Sequence, residues 1–296
     1  MATSFEARVR LTGLAFGEAP RWHDGRLWFS DFYRRGIYSL GDDGERLEHA
    51  TSFQPSGLGW TADGTLLVTS MTECAVLAIA PGGEVRRHAD ISPWCAYWAN
   101  DLVVADDGTA YVGNFGFDLD AWVVGLADLP QGASVPPPPT TSLVAVAQDG
   151  SARAVAEDLT FPNGMVLTED GSTLIVAETL AQRLTAFDVA PDGSLSNRRC
   201  FAETPTAYPD GICLDAEGQV WLAAASSPRC LRVREGGEVT ATVTTARTSY
   251  ACMLGGDDRR ELFCCTAPIS TAKVVSAARD GAIESARVEV PGAGRP

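Results

Sequence analysis

One short pattern recurs along this 296-residue chain: a tight turn, an apolar run, an acidic turn with glycine, and a second apolar run. Its fullest copy is Tyr208-Pro209-Asp210-Gly211-Ile212-Cys213-Leu214, followed by Glu217-Gly218 and then Val220-Trp221-Leu222-Ala223. The Glu217-Gly218 pair suits a two-residue hairpin turn, because glycine takes a positive φ without steric cost. Three other stretches repeat the pattern: Phe161-Pro162-Asn163-Gly164 with Asp170-Gly171, Gln54-Pro55-Ser56-Gly57 with Asp63-Gly64, and Ala99-Asn100-Asp101-Leu102 with Asp107-Gly108. The turn acids fall at Asp24, Asp63, Asp107, Asp170, Glu217 and Asp257, so successive gaps are 39, 44, 63, 47 and 40 residues. Four of these gaps match the roughly 40–50 residues of a four-stranded propeller blade. The long gap holds an insertion at about residues 118–142, which contains the run Pro136-Pro137-Pro138-Pro139. Six units in 296 residues, about 49 each, predict an all-β, six-bladed β-propeller. Each blade would be a four-stranded antiparallel sheet facing a central channel, and residues 1–296 would form one domain.

The repeat also places chemistry. Seven residues before each turn acid stand Gly17 (beside Glu18), Ser56, Asn100, Asn163, Asp210 and Tyr250. Equivalent positions in a ring of blades point at one axis. Glu18, Asn100, Asn163 and Asp210 are therefore expected to converge. All four are oxygen donors, which suits a hard cation.

Composition bounds the partners. There are 23 basic and 38 acidic residues, a formal net charge of −15. That balance argues against nucleic acid or an anionic membrane, both of which need clustered Lys and Arg. No apolar run approaches a membrane span, and Met1-Ala2-Thr3-Ser4-Phe5-Glu6 lacks the basic and apolar regions of a secretory signal. The eight cysteines show no CxxC spacing, and several fall in apolar runs, so they read as reduced thiols of a cytoplasmic protein. Cys95 is the one placed to line a pocket. Residues 5–12 and 285–290 alternate as strands, and they are expected to share a blade and close the ring. Asp118-Leu119-Asp120-Ala121-Trp122 suits a helix inside the insertion, as part of either a lid or a surface loop.

At these residues the chain resembles the gluconolactonase, regucalcin (senescence marker protein) and luciferin-regenerating-enzyme family. The matching pieces are Gly17-Glu18-Ala19-Pro20-Arg21-Trp22, Asn100-Asp101, Pro162-Asn163-Gly164 and Pro209-Asp210-Gly211, in order and at blade spacing. The resemblance spans essentially the whole length. It implies a six-bladed propeller holding one divalent metal through Glu18, Asn163 and Asp210. It further implies Asn100 near the metal or substrate, Asp210 doubling as catalytic acid/base, and metal-dependent lactone hydrolysis. The sequence departs from the sugar-lactone pattern at Trp98, where such members often carry an Arg two residues before the Asn. An indole in place of a guanidinium removes donors for substrate hydroxyls and adds apolar surface. Phe32, Tyr33, Phe115 and Phe117 lie at blade ends and extend that wall. The expected substrate is a lactone or ester, of sugar type or less hydroxylated and partly aromatic, bound by Asn100, Trp98, Asp101 and Phe115. Asp101 reads equally well as a support that orients Asn100.

An oxygen-only ligand set favours Ca²⁺, Mg²⁺ or Mn²⁺, with Zn²⁺ or Fe²⁺ less natural in the absence of histidine. His23 sits beside the first turn, while His49 and His88 fall on outer strands. No Gly-x-Ser-x-Gly elbow is present. Two other functions remain open at this stage: a non-catalytic Ca²⁺-binding propeller, and a different metal-assisted hydrolase or lyase, for example one acting on phosphotriesters. The protein is expected to act as a monomer or weak homo-oligomer.

Overall fold

A computed structural model of the chain describes residues 2–128, 134 and 136–294. It is a six-bladed β-propeller, as the repeat predicts. Each blade starts at the axis and works outward. Blade 1 is Gly17–His23, Arg26–Asp31, Gly36–Gly41 and Gly44–Ala50. Blade 2 is Pro55–Trp60, Leu66–Ser70, Ala75–Ile79 and Val85–Asp90. Blade 3 is Ala99–Val104, Ala110–Asn114, Thr141–Val146 and Ala152–Leu159, and blade 4 is Pro162–Leu167, Thr173–Glu178, Arg183–Val189 and Leu195–Glu203. Blade 5 begins at Pro209–Asp215 and ends at Val239–Thr244, and blade 6 begins at Thr248–Gly255. The six inner strands touch in ring order, blade 6 returning to blade 1.

The turn acids do what their spacing suggests, by a slightly different geometry. Blade 1 turns on the two residues Asp24-Gly25, His23 pairing with Arg26, whereas the inner hairpins of the other blades are longer. In blade 5 the Gly218 N–H donates to the Asp215 carbonyl at 3.0 Å and the Asp215 N–H to the Gln219 carbonyl at 3.0 Å, with Gly218 at φ 72°. This is a tight turn closed by a left-handed glycine, which preserves the strand twist. The acid contributes a side-chain acceptor: Asp63 takes the Thr65 N–H at 3.0 Å and Asp170 the Ser172 N–H at 3.0 Å.

Ring closure follows the expectation with one refinement. Arg8–Leu14 pairs antiparallel with Gly281–Arg287, so the two ends of the chain do share blade 6. The N-terminal strand is nevertheless broken at Ala7, whose N–H donates to the Thr244 carbonyl at 2.9 Å. Thr3–Glu6 therefore runs parallel to Val239–Thr244 on the outer edge of blade 5. Gly292–Ala293 adds to the inner strand of blade 5, so both termini straddle the same blade boundary. The added strands cover the former edges of blade 5 on both sides.

The expected helix is present in the insertion as α1, Leu119–Ala127, with Asp118 capping the Ala121 N–H at 2.9 Å. Part of the 118–142 insertion lies outside the described residues. Among the described residues no helix is long and apolar enough to cross a membrane.

Deleting residues 2–12 strips the outer strand of blade 6 and the added edge of blade 5. The melting temperature should fall by roughly 5–15 °C, taking about 2–4 °C per kcal/mol for a chain of this size. An unchanged transition in differential scanning calorimetry would refute closure through these strands.

Candidate functional site

Every inner strand carries an irregularity where the repeat places its chemistry. The pairing register slips between Glu18 and Arg21, Pro55 and Leu58, Ala99 and Leu102, Pro162 and Met165, Pro209 and Ile212, and Ser249 and Ala251. A bulge of this kind re-aims a side chain out of the pleat. The glycine that follows explains the Pro-Asn-Gly and Pro-Asp-Gly motifs. A Cβ on Gly164 would stand 2.6 Å from the Ile212 nitrogen, and one on Gly211 2.6 Å from Ala251 Cα. Only a bare backbone lets neighbouring inner strands approach this closely at the axis.

The re-aimed side chains meet. Ser56 Oγ donates to Asn100 Oδ1 at 3.5 Å, and Asn100 Nδ2 donates to Asn163 Oδ1 at 3.1 Å. Asn163 Nδ2 donates to Thr179 Oγ1 at 3.2 Å, and the Asn163 amide is near enough to Asp210 to pull its carboxyl down. Thr179 in turn donates to the Pro209 carbonyl at 2.8 Å, which ties the amide of blade 4 to the backbone beside Asp210. Four of the six repeat positions thus form one polar chain across blades 2 to 5. Glu18 enters from blade 1, with its Oε2 accepting the Ala19 N–H at 3.2 Å.

Buried carboxylates behind the site hold the incoming segments. Asp31 accepts the N–H groups of Ala15 at 2.9 Å and Phe16 at 3.2 Å, just ahead of Glu18. Glu178 accepts the Thr160 N–H at 2.8 Å, just ahead of Asn163. The backbone beside both ring residues is strained, with Ala19 at φ 47° and Phe161 at φ 56°. Such strain persists only where the surroundings over-determine it, and it concentrates at functional sites.

The electrostatics are those of crowded acids. Burial pushes the Glu18 carboxyl well above its ordinary value, and the neighbouring Asp210 and Asp101 charges add to the rise. Asp210 is likewise raised, first by burial and then by Asp101, against a lowering bond from Asn163. Asp101 turns to Arg21, with Nη2 to Oδ1 at 3.2 Å, and its own carboxyl is raised by burial against the pull of that guanidinium. Among the described residues no three His, Cys, Asp or Glu side chains cluster at metal-ligand spacing, so a cation here would need an amide oxygen beside the carboxylates. The donor set fits one: half-buried Glu18 beside buried Asp210, an adjacent carboxamide, and an Arg21 guanidinium already engaged by Asp101 and backbone carbonyls.

Above this floor the mouth is apolar. On blade 3, half-buried Trp98 stacks on Tyr97 at 4.8 Å and meets Phe115 at 6.2 Å, and Phe115 stacks on Phe161 at 4.9 Å. On the opposite side of the ring Phe16 meets Tyr250 at 4.8 Å and Phe32 at 5.5 Å. Trp98, Phe115, Tyr33, Phe16, Phe32 and Tyr250 belong to one apolar cluster with Met71 and Ala225. The Tyr250 phenol, raised to about 12 mainly by burial, also feels Asp210 and Glu18.

The geometry adds detail to three expectations. Asp101 Oδ1 accepts from Arg21 and from the Leu102 N–H. Phe117 leans on Trp122 of α1 at 5.8 Å as well as on Phe161, at the edge of the wall. Cys95 packs with the Ile91 and Val76 cluster rather than the mouth, because the loop turns it towards blade 2. Sequence reasoning missed Thr179 and Arg21 as supports: Thr179 lies outside the repeat register, and Arg21 in a short motif reads as a strand residue. Tyr250 was in register and lacked only an acidic or amide side chain to draw notice. The three histidines stay away from the site, with His23 stacked on Trp60 at 4.0 Å near the turn end of its strand.

Comparison with known proteins agrees with this architecture. Residues 16–268 match the family described as SMP-30/Gluconolactonase/LRE-like region. Regucalcin of Oryctolagus cuniculus is 30% identical over 145 residues, covering 47% of this chain and 45% of that protein. The matched stretch thus spans less than half the length of that relative. Among solved structures, a calcium-binding regucalcin from Agrobacterium tumefaciens superposes with a TM-score of 0.79 at 20% identity, over 100% of this chain and 99% of the other. A gluconolactonase from Xanthomonas campestris superposes with a TM-score of 0.72 at 23% identity, over 96% and 90%. With its ring of bulged inner strands and a family match reaching from Phe16 to Pro268, this chain belongs to the SMP-30/gluconolactonase/LRE-like family.

Proposed function

We propose that this propeller is a metal-dependent lactonase working as a single domain, with Glu18, Asn163 and Asp210 holding one divalent cation. The observation that carries the proposal is the Glu18–Asp210 pair, a half-buried acid that feels the charge of a buried one at the axis, beside the Asn163 amide. When bound, the cation supplies Lewis-acid polarisation of a carbonyl and acidifies water. The chain does the rest. Asp210 takes the proton of the attacking water and returns it to the ring oxygen as the acyl C–O bond breaks. Thr179 fixes the Asn163 amide, and Ser56 and Asn163 fix Asn100, so that these groups need no reorganisation when substrate arrives. The products at neutral pH are a hydroxycarboxylate and a proton. The apolar rim excludes bulk water and selects a lactone or ester with few hydroxyls, because Trp98 and Phe115 offer area and almost no donors.

Three measurements bear on this reading. Metal-stripped protein supplied with Ca²⁺, Mg²⁺, Mn²⁺, Zn²⁺ or Fe²⁺ should release protons from members of a panel of sugar, aliphatic and aromatic lactones. Silence across every metal and lactone in a pH-indicator assay would sink the lactonase proposal. Glu18→Gln and Asp210→Asn should each cut kcat/KM by roughly 10²–10⁴-fold while leaving the melting transition cooperative. Full activity in both would remove these residues from the chemistry. Trp98→Arg should move the ratio of kcat/KM values toward polyhydroxylated lactones by about ten-fold or more, since a guanidinium supplies hydroxyl partners that an indole lacks. The same substrate profile in wild type and variant would take Trp98 out of the pocket.

A further inference from the structure

Arg21 is buried among the inner strands of three blades, and nearly all of its donors are used. Nε donates to the Leu58 carbonyl at 2.9 Å and Nη1 to the Pro20 carbonyl at 2.8 Å. Nη2 donates to Asp101 Oδ1 at 3.2 Å and to the Leu102 carbonyl at 2.8 Å. Both ion-pair partners have side chains less than a tenth exposed, at 6% and 8%. A guanidinium bound in this way cannot swing towards a ligand or out to water. Its charge is a fixed part of the channel.

Asp101 follows the ring residue Asn100 directly, where blades 4 and 5 have glycine. Its carboxylate puts a third negative charge near Glu18 and Asp210, and the Arg21 guanidinium that it bonds opposes that charge at Glu18. A neutral residue there would leave the positive Arg21 unbalanced beside the site. We propose that Arg21 and Asp101 are positioning residues whose charges offset each other in sum, so that the four groups together present a net charge of −2 to a divalent cation. The pair thereby sets which cation charge the channel accepts. This deepens the metal-dependent reading of the site and rests on it.

Substitutions at the two positions make a charge ladder. Asp101→Asn keeps an oxygen acceptor for Arg21 and for the Leu102 N–H, and leaves the site at −1. Arg21→Gln combined with Asp101→Asn restores −2 with no ion pair. Each metal-stripped protein is titrated by calorimetry with Ca²⁺, Mn²⁺ and Tb³⁺ at one pH and ionic strength. Asp101→Asn should bind Ca²⁺ and Mn²⁺ more weakly by roughly ten-fold or more and lose still more affinity for Tb³⁺, because attraction scales with ion charge. The double variant should return to within a few-fold of wild type. A purely structural role for the pair predicts the opposite ranking, since the double variant disturbs more contacts than the single one.

Wild-type affinity in Asp101→Asn would overturn the proposal, as would a double variant no tighter than the single. Either result leaves the cation site itself standing. Failure of the wild-type protein to bind any of the three ions would overturn both this inference and the metal-dependent reading beneath it.

Discussion

The structure depends on six inner strands coming close enough at one axis for their side chains to share a field. Gly164 and Gly211 permit this approach, and the bulges beside them turn Asn163 and Asp210 inward. Burial then acts on whatever those positions carry. Where they carry acids, the acids are crowded and desolvated, and a cation becomes the natural way to relieve them. Site and fold are in this sense one feature, since the packing that closes the ring also charges its centre.

The surrounding layers share that logic. Asp31 and Glu178 lie buried behind the site and bind the N–H groups of the segments that lead into Glu18 and Asn163. Their charges are met by several donors, so they are structural, whereas Glu18 takes the Ala19 N–H and Asp210 leans on Asn163 while acid neighbours raise both. The contrast between well-paired and crowded acids separates scaffold from site more sharply than burial alone. The aromatic rim above adds a dry boundary, and its composition bears on substrate choice without altering the polar floor.

Neighbours at 20% and 23% identity share the propeller, and a propeller by itself hosts many chemistries. The rim of this chain is aromatic. An indole at Trp98, packed between Tyr97 and Phe115, is built into the wall and is not a passing surface residue.

Much of this was legible in the residues themselves. Turn acids at blade spacing gave six blades, because a hairpin needs a turn at each return of the chain. Counting back from those turns placed Ser56, Asn100, Asn163 and Asp210 in a single ring, because equivalent strands around an axis present equivalent positions. The helix at Leu119–Ala127 and the shared terminal blade could be read from local pattern for the same kind of reason. What no local pattern contains is the contact between blades. That Asp101 answers Arg21, eighty residues away, and that Thr179 ties Asn163 to Pro209 depend on inter-strand distances set only when the ring closes. The break at Ala7 and the inward or outward facing of Cys95 are decided at the same moment, by which neighbouring blade each segment finds. Sequence determined the repeat and the residue types on it, and tertiary closure decided which charges meet.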